Sequence, residues 1–413
     1  MPPQVLVVGA GYAGLNATFR LADLRQQRGK AFDVRLVDQH PYHLIKVRLH
    51  EAAVRPVEIT NPLDVLLAKD EVTVCQASVT GLDFEGRQVM TSAGPLGYEY
   101  LILALGGGTN FFSIPGLADH AFVLDSLPDA IRLRAHIENQ VVQAAASTDR
   151  AERARRLRFV IGGAGYTGVE LAGEMAEIVP KACGRLGVPV EETEIVVVDA
   201  MPRILPILDD AAAGYATREL EKKGVRFCTG VKVTACSAEG VTLDPAGFIP
   251  TATMIWAGGV SANSAVESSG AETGRQGRLR VDTALRVIGH PEVFAVGDCA
   301  LALNPATNEP VPATAQLALQ EGWQAADNVV RVMAGLEPLS FVPHSRGEIV
   351  SLGRDRAVGW TKALGDRQLR VRGLIGGVAK RLASAQWELH LWAETRHLDR
   401  IFTEHRTPRP SEE

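Results

Sequence analysis

Two glycine-rich turns 154 positions apart carry the residue types that can hold phosphate. The first is Gly9-Ala10-Gly11-Tyr12-Ala13-Gly14, after the apolar run Val5–Val8, and the second is Gly163-Ala164-Gly165-Tyr166-Thr167-Gly168, after Phe159–Ile161. In a strand–turn–helix context the first glycine makes the tight turn. The second lets backbone approach a pyrophosphate, and the third lets helix pack on strand. The helix start adds free N–H donors and partial positive charge. Each turn is followed by a strand ending in an acid, Asp33–Asp38 and Glu194–Asp199. A carboxylate at that place can accept both hydroxyl hydrogens of a ribose. Asp38 lies 24 residues past Gly14 and Asp199 lies 31 past Gly168, so the second unit carries an insertion around 179–193. Either acid alone could be a turn residue; repetition favours two dinucleotides on one chain, a flavin and a nicotinamide. Asp199 would also repel the extra phosphate of NADPH, a preference for NADH that nearby Arg203 moderates.

The elements that position these residues repeat. Each unit runs from glycine turn to acid strand to a closing strand, and then to a second glycine turn. The closing strands are Tyr100–Leu105, before Gly106-Gly107-Gly108, and Thr253–Trp256, before Gly258-Gly259. A third element, Val293–Val296 followed by Gly297-Asp298, reads as a buried strand ending in an acid. Its place after the second unit suggests that the chain returns to complete the first. The reading is an α/β fold of two Rossmann-like dinucleotide-binding domains plus a C-terminal helical extension. The FAD domain is expected over 1–116 and 270–335, with the NAD(H) domain of 117–269 inserted in it. Residues 336–413 are left for a membrane or dimer contact.

At 413 residues the chain has room for two or three domains. Its net charge of −5 argues against a nucleic-acid binder. No apolar run is long enough to span a bilayer, and a core strand at Gln4–Val8 leaves no room for a signal peptide. The expected location is cytoplasmic, with contact to the inner face of the cell membrane as an option. The five cysteines form no CxxC and no metal-type spacing, so no metal is expected. None lies in 40–48, where a disulfide-reducing flavoprotein would carry its redox pair.

Together the stretches VVGAGYAGL, YEYLILALG, FVIGGAGYTGVELAGE, MIWAGGVSAN, VFAVGDCA and PATAQLALQEG resemble the two-dinucleotide-binding flavoproteins. Within these, the chain is similar to the type II NADH dehydrogenases (NADH:quinone oxidoreductases). The resemblance spans residues 5 to about 330, in family order. It departs at Leu105, where threonine is common, at Glu321, where a second glutamine is common, and over the last 70 residues. It implies an enzyme with noncovalent FAD that takes a hydride from NADH and passes two electrons to a quinone.

The resemblance assigns Asp298, following Gly297, to the flavin ribityl chain; the glycine run opening at Gly106 suits either a domain crossover or a close approach to the cofactor. Thr314 and Ala315 would open a helix aimed at the flavin pyrimidine edge, where a helix N-terminus stabilises incoming negative charge. Gln316 and Gln320, four apart and on one face, would hold a quinone carbonyl or else be a polar flank. Glu170 would orient the nicotinamide or merely suit a helix start, and Gly258 would shape the same cleft. A sulfide:quinone oxidoreductase would need cysteines after Cys299, and there are none. A reductase of a ferredoxin-like protein and a non-enzymatic NADH-responsive flavoprotein remain as alternatives.

From Lys362 to Arg409 ten Lys/Arg stand against five Asp/Glu. There Leu374, Val378, Leu382, Ala385, Leu389 and Trp392 share a helical face. A basic helix with Trp387 and Trp392 suits a lipid interface. Packing on the flavin domain or in a homodimer suits it equally, given Glu388, Glu394 and Asp399 among its residues.

Overall fold

The computed structural model describes residues 2–362 and 367–395. Asp399 and the basic residues from Arg396 to Arg409 lie outside them. Apolar strand runs with fully buried residues explain why both main sheets are parallel, since such runs need cover on both faces. In the first sheet the order is Arg286–Val287, His290–Ala295, Tyr100–Leu103, Gln4–Val8, Asp33–Asp38 and Thr73–Gln76. All neighbours are parallel except the edge pair formed by the first two. In register, Val5 sits between Val34 and Tyr100. Strand His290–Ala295 joins this sheet beside Tyr100–Leu103 after an excursion of nearly 190 residues, pairing Val293 with Leu101.

The second sheet is Ala121–Phe122, Thr253–Trp256, Arg158–Gly162, Glu194–Asp199 and Val225–Thr229, parallel throughout. Each unit also carries a three-stranded antiparallel ribbon between its acid strand and its closing strand, at 79–97 and 232–250. Where each closing strand ends, a short extended segment leaves its sheet. Gly107–Thr109 and Val260–Ala262 then pair with one another, antiparallel, across the two units. The Trp256 Nε1–H donates to the Asn110 carbonyl at 2.8 Å beside that join.

A third part follows the helix Ala315–Met333. It is an antiparallel sheet of Gly347–Ser351, Ala357–Lys362 and Gln368–Arg372, continued by the helix Gly373–Thr395. Two glycines seat that helix on the sheet. A Cβ on Gly376 would overlap the Ala357 carbonyl, and one on Gly377 the Asp355 carbonyl. The opposite side faces outward, with Ile375 74% and Leu382 67% exposed beside Leu374, Val378 and Leu389. The helix therefore packs on the fold by one side and presents the apolar face read from the sequence on the other. No described helix is long and apolar enough to cross a membrane.

Candidate functional site

The two glycine turns have the same geometry, and that geometry explains their sequence. Gly9 and Gly163 adopt φ of +100° and +108°, which side chains rarely tolerate. A Cβ on Gly14 would overlap the Gly9 carbonyl, as one on Gly168 would overlap the Gly163 carbonyl. The middle glycines differ: a Cβ at Gly11 or Gly165 would meet nothing within 4 Å. First and third glycines are thus demanded by the chain itself, and the middle ones border open space. That is the cradle a dinucleotide phosphate requires, so the residues fit such a group in both units.

The acids take part in building this cradle. Asp38 accepts the Ala10 N–H at 2.6 Å and the His40 N–H at 2.8 Å. Asp199 accepts the Ala164 N–H at 2.6 Å and the Met201 N–H at 2.7 Å. Each carboxylate therefore ties its own loop to the middle of its glycine turn, a role the sequence reading did not assign. Burial pushes Asp38 above the usual carboxylate range, against the opposing pull of those two amides. Arg203 donates to the carbonyls of Leu205, Pro206 and Leu208 and pairs with Asp210, so its guanidinium is engaged by its own loop.

Gly297, at φ +70°, turns the chain from strand into the Asp298 loop. Gly297, Asp298, Thr314, Ala318, Glu321 and Arg278 line one cleft. Thr314 caps the helix Ala315–Met333 by accepting the Leu317 N–H at 3.4 Å. That helix crosses the first glycine-turn helix (Tyr12–Gln27) closely enough that a Cβ on Gly322 would overlap the Ala13 carbonyl. Asn16 Nδ2 donates across this crossing to the Leu319 carbonyl at 2.7 Å. A helix start, with its partial positive charge, is thereby held at the same cleft as Asp298. Gly106 and Gly258 end the two closing strands: Gly106 borders open space, while Gly258 lies under the Trp256 ring.

Gln316 and Gln320 do share a face, and their amides are occupied by the chain. Gln316 accepts the Arg346 N–H at 3.1 Å and donates to the Gly347 carbonyl at 3.1 Å. Gln320 accepts the His344 N–H at 3.0 Å and donates to the His344 carbonyl at 2.9 Å. Together they pin the segment 344–347 that leads into the C-terminal sheet.

Glu170 lies deep rather than open. Its carboxylate meets Lys380 Nζ at 2.9 Å and His50 Nδ1 at 3.6 Å, and it accepts from the Ser351 N–H at 2.9 Å and the Ser351 hydroxyl at 3.1 Å. Burial would raise its pKa, but Lys380, His50 and the Ser351 N–H outweigh that and hold it below the usual carboxylate range. Second-unit helix, first-unit His50 and C-terminal sheet and helix converge on this one side chain. Neither His50 nor Lys380 was legible as a partner, because nothing in their local sequence encodes a contact 120 or 210 positions away.

The first unit is latched to the same C-terminal helix. The His43 Nδ1–H donates to the Ala10 carbonyl at 2.8 Å, and its Nε2 accepts the Trp387 Nε1–H at 3.0 Å. These partners require the neutral ring, and burial pushes its pKa down to about 4. Tyr12, in the glycine turn itself, packs on both His43 and Trp387. Its equivalent in the second turn, Tyr166, bonds Glu348 of the C-terminal sheet. The repeated Gly-Ala-Gly-Tyr was the signal that could have announced this.

All five cysteines are free thiols. Cys299, nearest Asp298, is buried, its thiol pushed up to about 11, chiefly by burial, so it offers no thiolate. No metal-type cluster occurs among the described residues.

Comparison with known proteins agrees with this geometry. The family described as pyridine nucleotide-disulphide oxidoreductase matches residues 3–322. The type II NADH:quinone oxidoreductase of Staphylococcus epidermidis is 32% identical over 362 residues, covering 86% of this chain and 89% of that protein. The Staphylococcus aureus protein of the same name matches equally. Among solved structures, NDH2 from Plasmodium falciparum in complex with NADH superposes with a TM-score of 0.82 at 17% identity over the whole of both chains. The sulfide:quinone oxidoreductase of Aquifex aeolicus gives 0.74 at 19% identity, covering 95% of this chain and 92% of that one, a likeness of fold. With glycine turns, acids and closing strands in place and family relatives matched along most of its length, the chain belongs to the type II NADH:quinone oxidoreductases, within the pyridine nucleotide-disulphide oxidoreductase family.

Proposed function

We propose that NADH lies along the second glycine turn and FAD along the first, and that nicotinamide and flavin meet at the join of 107–109 with 260–262. The enzyme oxidises NADH and reduces a quinone. One observation supports the placement: the segments leaving the two closing strands pair with each other, which joins the two units just past the ends of those strands. FAD, when bound, supplies the two-electron relay between nicotinamide and quinone. The chain supplies the rest. The two glycine turns and their acids fasten the dinucleotides. Asp298 is assigned to the flavin ribityl chain, and the helix start at Thr314 and Ala315 sets fixed positive charge where negative charge arrives. The cleft around Gly258 and Trp256 orients the nicotinamide. Because the Cys299 thiol is buried and neutral, the reading excludes thiol chemistry beside the flavin.

In this reading residues 1–116 with 270–335 form the FAD domain, and 117–269 the NAD(H) domain. The C-terminal part is the membrane-facing piece. The exposed row Leu374, Ile375, Val378, Leu382 and Leu389, flanked by Arg372 and Arg381, supports docking on an anionic lipid surface from which quinone arrives. Gln316 and Gln320 buttress that side of the site. Anaerobic mixing with NADH tests the whole scheme. Flavin absorbance should bleach rapidly and recover on adding a quinone, with ping-pong kinetics. Bleaching that persists with every quinone tried would refute it. Liposome flotation tests the surface. Floating with anionic vesicles supports docking, whereas a homodimer that stays with the protein fraction overturns it.

A further inference from the structure

Glu321 stands one residue past Gln320, rotated off the face that pins 344–347. Its side chain is 4% exposed, and Oε2 accepts the Gly297 N–H at 2.5 Å. That bond holds the turn carrying Asp298, and Glu321 lines the same cleft as Asp298, Thr314 and Arg278. The charged and titratable groups facing it are few. Asp298 and Cys299 belong to the turn it holds, and Arg278 lies on the opposite wall, with no ion pair to Glu321 among the described residues. The first glycine-turn helix brings Ala13 and Asn16, both uncharged. On its own helix the next acid, Asp327, is paired with Arg20.

We propose that Glu321 is a proton-linked positioning residue for the flavin cleft. In both forms its oxygen accepts the Gly297 N–H and positions the Asp298 turn. With its proton on, it does so without adding charge to the cleft; with its proton off, it sets a second negative charge beside Asp298, which repels an anionic dinucleotide. Burial pushes the Glu321 carboxyl up to about 8; the Gly297 N–H opposes this, Asp298 reinforces it and Arg278 opposes it. The change of charge thus falls within the range of ordinary cellular pH. A glutamine here would keep a carbonyl for the Gly297 N–H and have no proton to lose.

The inference rests on the first unit taking FAD, an anionic ligand. Such a ligand favours the acid form, so affinity falls as pH rises through the Glu321 transition. A ligand-induced rise of about one pH unit corresponds to a loss of about tenfold.

The test is flavin release from the purified holoenzyme on dilution, read by recovery of free-flavin fluorescence between about pH 6.5 and about pH 9.5. Wild-type protein should weaken about tenfold, with a midpoint near 8. Glu321→Gln should change less than about twofold over the same range. Parallel curves for the two proteins would overturn the proposal. Circular dichroism confirms that the variant is folded. Should it fail to fold, Arg278→Gln provides the same test, since loss of that cation must move the wild-type midpoint upward. An unmoved midpoint overturns the proposal. Wild-type protein that holds no flavin at any pH would defeat the cofactor assignment itself, and the proposal with it.

Discussion

Replacing Lys380 with methionine asks whether the convergence on Glu170 is an electrostatic unit or merely close packing. The two charges are 2.9 Å apart, with side chains 26% and 8% exposed. Removing one partner of a buried pair costs about 3–5 kcal/mol, because the other charge stays buried uncompensated. His50 and both Ser351 donors remain to Glu170, so Lys380→Met should fall at the low end, about 3 kcal/mol. Adding Glu170→Gln removes the stranded charge while keeping an acceptor for the Ser351 N–H. The double variant should recover about 2 kcal/mol, a coupling typical of contacting residues.

The pH dependence has opposite signs in the two proteins. In wild type the Glu170 pKa lies below its usual 4.5, so its contribution is fully present above that value and fades as pH falls further. In Lys380→Met burial dominates and the carboxyl rises. The deficit should therefore shrink as pH drops from about 7 towards about 5, where the acid form becomes accessible. Urea unfolding of the flavin-loaded protein, followed by far-ultraviolet circular dichroism, measures all four members of the cycle. A Lys380→Met cost under about 0.5 kcal/mol, or a double variant that loses the sum of the singles, would refute the reasoning.

Four further outcomes follow. Gly168→Ala places a methyl on the Gly163 carbonyl, so it should abolish flavin bleaching by NADH while the protein stays yellow; Gly14→Ala should instead yield colourless protein, and absorbance distinguishes them. Asp199→Ala frees the Ala164 and Met201 amides and should raise the KM for NADH at least about tenfold, about 1.4 kcal/mol, in steady-state assays; NADPH should remain a poor donor to the wild type. His43 carries a folded pKa of about 4 against an ordinary 6.5. Its contribution is thus intact above the higher value and lost as pH falls to the lower, about 3 kcal/mol in all; His43→Gln should flatten the acid limb of the stability profile. Changing Gln316 and Gln320 together to leucine releases 344–347 and should slow reoxidation by quinone about tenfold while sparing reduction by NADH, which stopped-flow measures separately.

The glycine turns and acid strands were legible because their chemistry is local. Tight turn, open middle and helix contact all fall within six residues, and each buried strand announces itself as an apolar run. The return of 293–296 to the first sheet was also readable, from an apolar run ending in Gly297-Asp298 after the second unit closes. Contacts formed between distant segments left no such mark. Glu170 read as orienting the nicotinamide or as suited to a helix start, and neither reading named its partners, which come from positions 50, 351 and 380. Gln316 and Gln320 shared a face as expected, but what they hold is a backbone segment whose approach only the folded chain decides. The tail helix illustrates both cases. Its apolar row was visible in the spacing, whereas the side that packs, through Gly376, Gly377, Lys380 and Trp387, depends on carbonyls and rings supplied from elsewhere.

The fastening of that tail has a consequence for how the molecule ages and is handled. Trp387 bonds the ring that grips the first glycine turn, and Lys380 pairs with a carboxylate in the helix that follows the second. A proteolytic cut ahead of residue 373 would therefore unseal two cofactor cradles at once. Preparations nicked there should shed their yellow colour and their response to NADH together, at one rate, even though every residue of both cradles survives the cut.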